Sequence, residues 1–116
     1  MQYDDFFVVL AELLSYLYLC LKKGEHPDPL RYSAAAYGIV GGYWQYIIDE
    51  GFREGFVESQ YDIRYGGEHH HVTNGDIRIT PKGIEYLQTA EVMKKAIEVV
   101  RQIGGYPAEV LYELEM

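Results

Sequence analysis

The chain has a single cysteine, and its cations are outnumbered by its anions. It also lacks a long uninterrupted apolar run. Each shortage excludes something. Cys20 cannot form an internal disulfide, and its place in an apolar helical run points to a reducing, cytoplasmic setting. Ten Lys and Arg against eighteen Asp and Glu leave a formal charge of −8. Proteins bind duplex DNA largely by neutralising phosphates, so this balance weighs against non-specific binding unless the cations gather on one face. The longest apolar run, residues 6–21, is too short to span a bilayer comfortably and is interrupted by Glu12 and Ser15. The chain opens Met1-Gln2-Tyr3-Asp4-Asp5, without the basic start and small-residue cleavage site of a secretory signal. The expectation is a cytoplasmic protein with no membrane partner.

Catalytic chemistry is equally scarce. A thiol buried in a helix stripe, as expected for Cys20, is inert. Ser15, Ser33 and Ser59 fall in a helix, at a cap and in a strand, with no nucleophile elbow around them. Asp4-Asp5 reads as a helix cap and Asp49-Glu50 as a solvated face, and no Gly-rich phosphate loop follows a strand. His69-His70-His71 is the one cluster that invites a metal. On a strand His69 and His71 share a face, which supplies two ligands where a zinc site needs three or four. The expectation is therefore no enzyme, no metal and no cofactor. The same histidines would make their surroundings more positive as the pH falls.

What the chain does contain is a clear local grammar. Asp76-Ile77-Arg78-Ile79 alternates apolar and polar residues with the period of a half-buried strand. Thr80 then caps a helix that Pro81 opens, where its fixed φ suits the first turn. Ahead of this, Asp4 or Asp5 caps a helix that runs to Lys23, with Gly24 ending it. Phe6, Leu10, Leu13, Leu14, Leu17 and Leu21 form its core stripe, yet Val8, Val9, Tyr16, Tyr18 and Leu19 lie off that stripe. Either the C-terminal segment wraps this helix, or the surplus face forms a homodimer contact.

After a turn at residues 25–29, Leu30-Arg31-Tyr32 suggests a short extended strand. Ser33 caps a short helix, Ala34-Ala35-Ala36-Tyr37, and Gly41-Gly42 belongs to the break that follows. A second helix over about 43–54 turns Trp44, Ile47, Ile48 and Gly51 inward, and Tyr43, Gln45, Tyr46, Asp49, Glu50 and Arg53 outward. Residues 56–65 read as a strand. It pairs with residues 76–80 as a wing, or a local type I′ turn at Asn74-Gly75 adds a further pairing; both can hold together. The helix after Pro81 breaks near Thr89-Ala90 and restarts. Val92, Met93, Ala96, Ile97, Val100 and Ile103 then make a second apolar face that ends at Gly104-Gly105. Together these elements predict an α+β winged helix-turn-helix: a three-helix core, a β-hairpin wing and additional C-terminal helices. Its domain is expected over residues 1–105, with a short acidic helical extension over 106–116.

Ile79-Thr80-Pro81-Lys82-Gly83-Ile84-Glu85-Tyr86-Leu87, followed by Met93-Lys94-Lys95-Ala96, resembles the YjcQ-like family. Tyr43-Trp44-Gln45-Tyr46-Ile47-Ile48 leading to Glu54-Gly55-Phe56-Val57 resembles that family's second helix and first wing strand. The similarity covers roughly residues 5–103. It implies a small winged-helix protein of Gram-positive bacteria or their phages, from a family largely without an assigned activity. It therefore speaks to fold more than to function.

Two functions follow from the expected scaffold. In a winged helix the second helix of the pair enters the major groove while the wing reaches backbone or minor groove. Double-stranded DNA would then meet Tyr43, Gln45, Tyr46, Arg53, Arg64, His69, His70, His71, Arg78 and Lys82. This makes the leading expectation a DNA-binding protein, as a transcriptional regulator or a phage or prophage accessory protein. Asp49 and Glu50 share the reading helix and carry the wrong charge for that task. The alternative is a protein–protein interaction module, which suits an acidic body with exposed tyrosines such as Tyr43, Tyr46, Tyr61 and Tyr65. Free positive charge along the helix and wing would favour DNA; an acidic or aromatic surface would favour a protein.

Overall fold

A computed structural model describes residues 1–59, 64–65, 68–69 and 77–115. The fold is α+β and mostly helical, and it is organised around its first helix, α1 (Phe6–Lys23). Asp5 caps α1 by accepting from the Phe7 amide at 2.9 Å. Gly24 closes it in the left-handed conformation at φ 68°, with Lys22 and Lys23 in the last turn where the helix dipole favours them. Residues 8–17 are all buried. A helix that is apolar on every side must be covered on every side. The helices Glu91–Ile103 and Tyr106–Glu115 and the strand Ile77–Ile79 do most of the covering. Val8, Val9, Tyr16 and Leu19 thus belong to the chain's own core. Leu21, expected in the core stripe, is instead 48% exposed.

Residues 29–31 correct another expectation. They form a 3-10 turn, Pro29–Arg31, rather than a strand. The Asp28 carboxylate accepts from the Leu30 amide at 3.0 Å, and the Tyr16 hydroxyl accepts from the Asp28 amide at 2.8 Å. Local side-chain caps have outcompeted extension here. Helix α2 (Ala34–Tyr37) is capped by Ser33 Oγ, as its sequence predicts. Helix α3 (Gly41–Arg53) begins two residues before the expected start, so Gly41 and Gly42 form its first turn instead of part of a break.

Strand β1 (Val57–Ser59) pairs antiparallel with β4 (Ile77–Ile79), setting Glu58 opposite Arg78. This is the base of the expected hairpin. Strands β2 (Arg64–Tyr65) and β3 (Glu68–His69) form a second small antiparallel ladder. The alternative turn at Asn74-Gly75 lies outside the described residues.

Helix α4 (Pro81–Thr89) follows β4 with only Thr80 between them. Thr80 Oγ1 accepts from the Gly83 amide at 3.0 Å and donates to the Gly55 carbonyl at 2.5 Å, while the Thr80 amide donates to the Phe56 carbonyl at 2.9 Å. Four backbone groups from two distant segments are satisfied at one residue. Gly83 completes the joint, since a Cβ there would lie 2.2 Å from the Phe56 carbonyl oxygen and 2.8 Å from Ile79 Cγ1. Ala90 ends α4 and starts α5 (Glu91–Ile103), which buries Met93, Ala96 and Val100. Ile103, expected on that apolar face, is 43% exposed in the last turn.

Helix α6 (Tyr106–Glu115) packs on α1 and α5 through Ala108, Val110 and Leu111. Lys22 donates to the Leu114 carbonyl, Lys23 pairs with Glu113, and Arg101 pairs with Glu115. Such exposed contacts add little energy, so the apolar burial is what fastens α6.

Candidate interaction face

The outward side of α3 and the neighbouring hairpin carry most of the residues expected to meet a partner. Tyr46 is 55% exposed and meets the Phe6 ring edge-on, with centroids 5.8 Å apart. Gln45 is exposed and donates to Asp49 Oδ1 at 3.0 Å, so its amide is already engaged along its own helix. Arg53, at the helix end, pairs with Glu50 one turn back at 2.5 Å. Arg78 pairs across the β1–β4 ladder with Glu58 at 2.7 Å. Both arginines are therefore matched with a carboxylate.

Two expected residues behave differently. Tyr43 is only half-buried rather than fully outward, and its hydroxyl donates to the Asp4 carbonyl at 2.8 Å. That bond ties α3 to the segment before α1. Partial burial raises the Tyr43 pKa, and the charges of Asp5 and Asp4 add to it. Lys82, in the first turn of α4, makes no ion pair among the described residues, and its Nζ lies 5.8 Å from the Phe56 ring centroid. The side chains of Arg64 and His69, and all of His70 and His71, lie outside the described residues.

The face is therefore mixed and locally neutralised. Asp49 and Glu50 sit half-buried on α3, and Glu54 and Glu58 are exposed beside it. Paired charges of this sort contribute little stability but cancel much of the field that a phosphate would sense.

Three features escaped the sequence. The first is a cleft of about 220 Å³ beside α3, bounded by the start of α1, the end of α3, Phe56 and α4. Its walls come from segments far apart in the chain, so no local pattern announces it. The second is a smaller cleft of about 170 Å³, lined by Cys20, His26 and Arg78 among others. Burial pushes the Cys20 thiol up, which keeps it protonated and unreactive.

The third is Glu12, a carboxyl only 8% exposed on α1 with no ion pair among the described residues. Burial pushes its pKa up to about 7. The Tyr37 hydroxyl lies within its electrostatic reach and is raised well above its ordinary value by its own burial, with Glu12 adding to that. Glu12 interrupts an apolar run, and that interruption was its one legible signal.

Among the described residues no helix is long and apolar enough to cross a membrane. No group of three or more His, Cys, Asp or Glu among them is placed to hold a metal ion. A protein-family model described as YjcQ protein matches residues 12–105. No curated protein and no solved structure matches the chain.

Proposed function

The chain belongs to the YjcQ family, and on that premise we propose that it is a non-enzymatic binding protein that meets a protein partner through the outer face of α3. In this reading α2 and α3 are the helix pair of a winged-helix scaffold, and the β1–β4 hairpin is the base of its wing. One observation carries the choice of partner: Arg53 and Arg78 are both held by carboxylates, while Asp49 and Glu50 share the face with exposed Tyr46. A phosphate-binding surface needs cations free to displace counterions. Protein interfaces tolerate neutralised charge and draw energy from tyrosine and arginine anchors.

Duplex DNA is the second reading. It is supported by the order helix pair, hairpin, helix, and by Lys82, which has no acidic partner among the described residues. Gln45, Tyr46, Arg53, Arg78 and Lys82 would make the contacts, and the protein would act as a transcriptional regulator. A fluorescence titration against a labelled mixed-sequence duplex separates the two. At about 20 mM salt, where electrostatic attraction is strongest, the expected result is no saturable binding. Saturable binding that weakens steeply with added salt would overturn the protein reading in favour of DNA.

A homodimer through α1 would have to use Tyr18, which is half-buried, because Val8, Val9, Tyr16 and Leu19 are buried within the chain.

A further inference from the structure

The cleft beside α3 has a chemistry of its own. Phe6, Phe7 and Leu10 from the start of α1 line it, with Phe56 and with Tyr86 from α4. Glu50, half-buried, and Glu54, exposed, line it as well. The rings are held against one another. Phe56 and Tyr86 stack with centroids 4.2 Å apart and planes 16° apart, and Phe6 meets Phe7 edge-on at 5.2 Å. Rings already locked by packing lose little freedom when something binds to them.

The electrostatics point one way. Lys82 Nζ lies 5.8 Å from the Phe56 centroid, so this group of rings already attracts a cation from the chain itself. Glu50 is shared with Arg53, whereas Glu54 is exposed and makes no ion pair among the described residues. The charge of Glu54 reaches the Tyr86 hydroxyl, adding to the rise in its pKa that burial causes. At about 220 Å³ the cleft admits one large side chain. Small-molecule and cofactor sites run larger, from about 300 to 1,000 Å³.

We propose that this cleft docks a basic, apolar segment of the protein partner, an inference that rests on the protein-binding reading of α3. An apolar side chain fills the cleft against the rings, and a neighbouring lysine or arginine lies against Glu54 and an open ring face. Three effects then act together. The apolar anchor leaves water, the cation meets aromatic faces, and the acidic body of the chain steers a basic partner toward it.

The test uses the whole chain and three labelled peptides of about twelve residues, a length that spans one groove. They repeat Leu-Lys-Ser, Leu-Glu-Ser or Ser-Lys-Ser. Binding is followed by fluorescence anisotropy and by amide chemical shifts. The expected result is binding of the Leu-Lys-Ser peptide, with shifts concentrated at Phe6, Phe7, Glu54 and Tyr86. Glu54→Lys should weaken it about tenfold and Glu54→Gln by less, as loss and reversal of a rim charge do. The other two peptides should bind at least about tenfold more weakly. Equal binding of the Leu-Glu-Ser peptide, an unchanged affinity in Glu54→Lys, shifts confined to other surfaces, or no binding of any peptide would each overturn the proposal. Failure of the peptides together with no duplex binding removes the cleft alone, whereas saturable duplex binding removes the protein reading itself.

Discussion

The joint between β4 and α4 and the outer face of α3 are linked through Gly55 and Phe56, yet they respond to change in opposite ways. At the joint, Thr80 satisfies backbone groups from two segments, and Gly83 approaches the Phe56 carbonyl more closely than any side chain would allow. Nothing there can be replaced without moving something else. On the α3 face the contacts are exposed side-chain pairs, Gln45 with Asp49 and Arg53 with Glu50. These can be exchanged with little effect on folding. A region so insensitive is free to be shaped by a partner.

Gly83→Ala should have the largest effect. The new methyl meets backbone, which cannot yield as a flexible side chain would. A loss of about 3 kcal/mol, the upper end for overpacking, should appear as a lower urea midpoint at unchanged slope. A loss under about 1 kcal/mol would show that the joint relaxes easily and would break the contrast with α3.

Glu12 tests the packed region through pH. Its carboxyl is raised from the ordinary 4.5 to about 7 by burial, so the folded state keeps a proton that the unfolded chain releases. Stability is unpenalised below about 4.5 and falls as the pH rises through 7, by at most about 3 kcal/mol. The difference between the wild type and Glu12→Gln, measured by denaturation from acidic to neutral pH, should isolate this slope. Parallel profiles for the two proteins would mean that Glu12 is solvated.

Thr80→Ala should cost about 1–2 kcal/mol through loss of the cap and of the bond to Gly55, read from the thermal midpoint. Arg78→Ala should be smallest, under about 1 kcal/mol, because its pair with Glu58 is half-exposed. If it instead rivals Thr80→Ala, the hairpin face is structural and the comparison with the joint fails.

The sequence was legible where structure is local. Asp5, Ser33 and Thr80 cap their helices as expected, because a cap satisfies amides two or three residues away. Gly24 ends α1 for the same reason. The pair between Arg53 and Glu50 also follows from helical spacing alone. The partner of Arg78 did not, since it depends on the register that sets Glu58 opposite it. The supposed strand at residues 30–32 failed because Asp28 supplies a competing cap and the Tyr16 hydroxyl holds the turn.

The amino-acid order alone determined the capped starts of α1, α2 and α4 and the strand that leads into α4, because these rest on propensities and hydrogen bonds within a few residues. It also carried enough ordered motif to suggest the family. Tertiary structure decided what covers α1, that Glu58 neutralises Arg78, and that Phe6, Phe7, Phe56 and Tyr86 come together as one cleft. Those outcomes depend on which distant surfaces meet, and burial has no preferred direction along a chain.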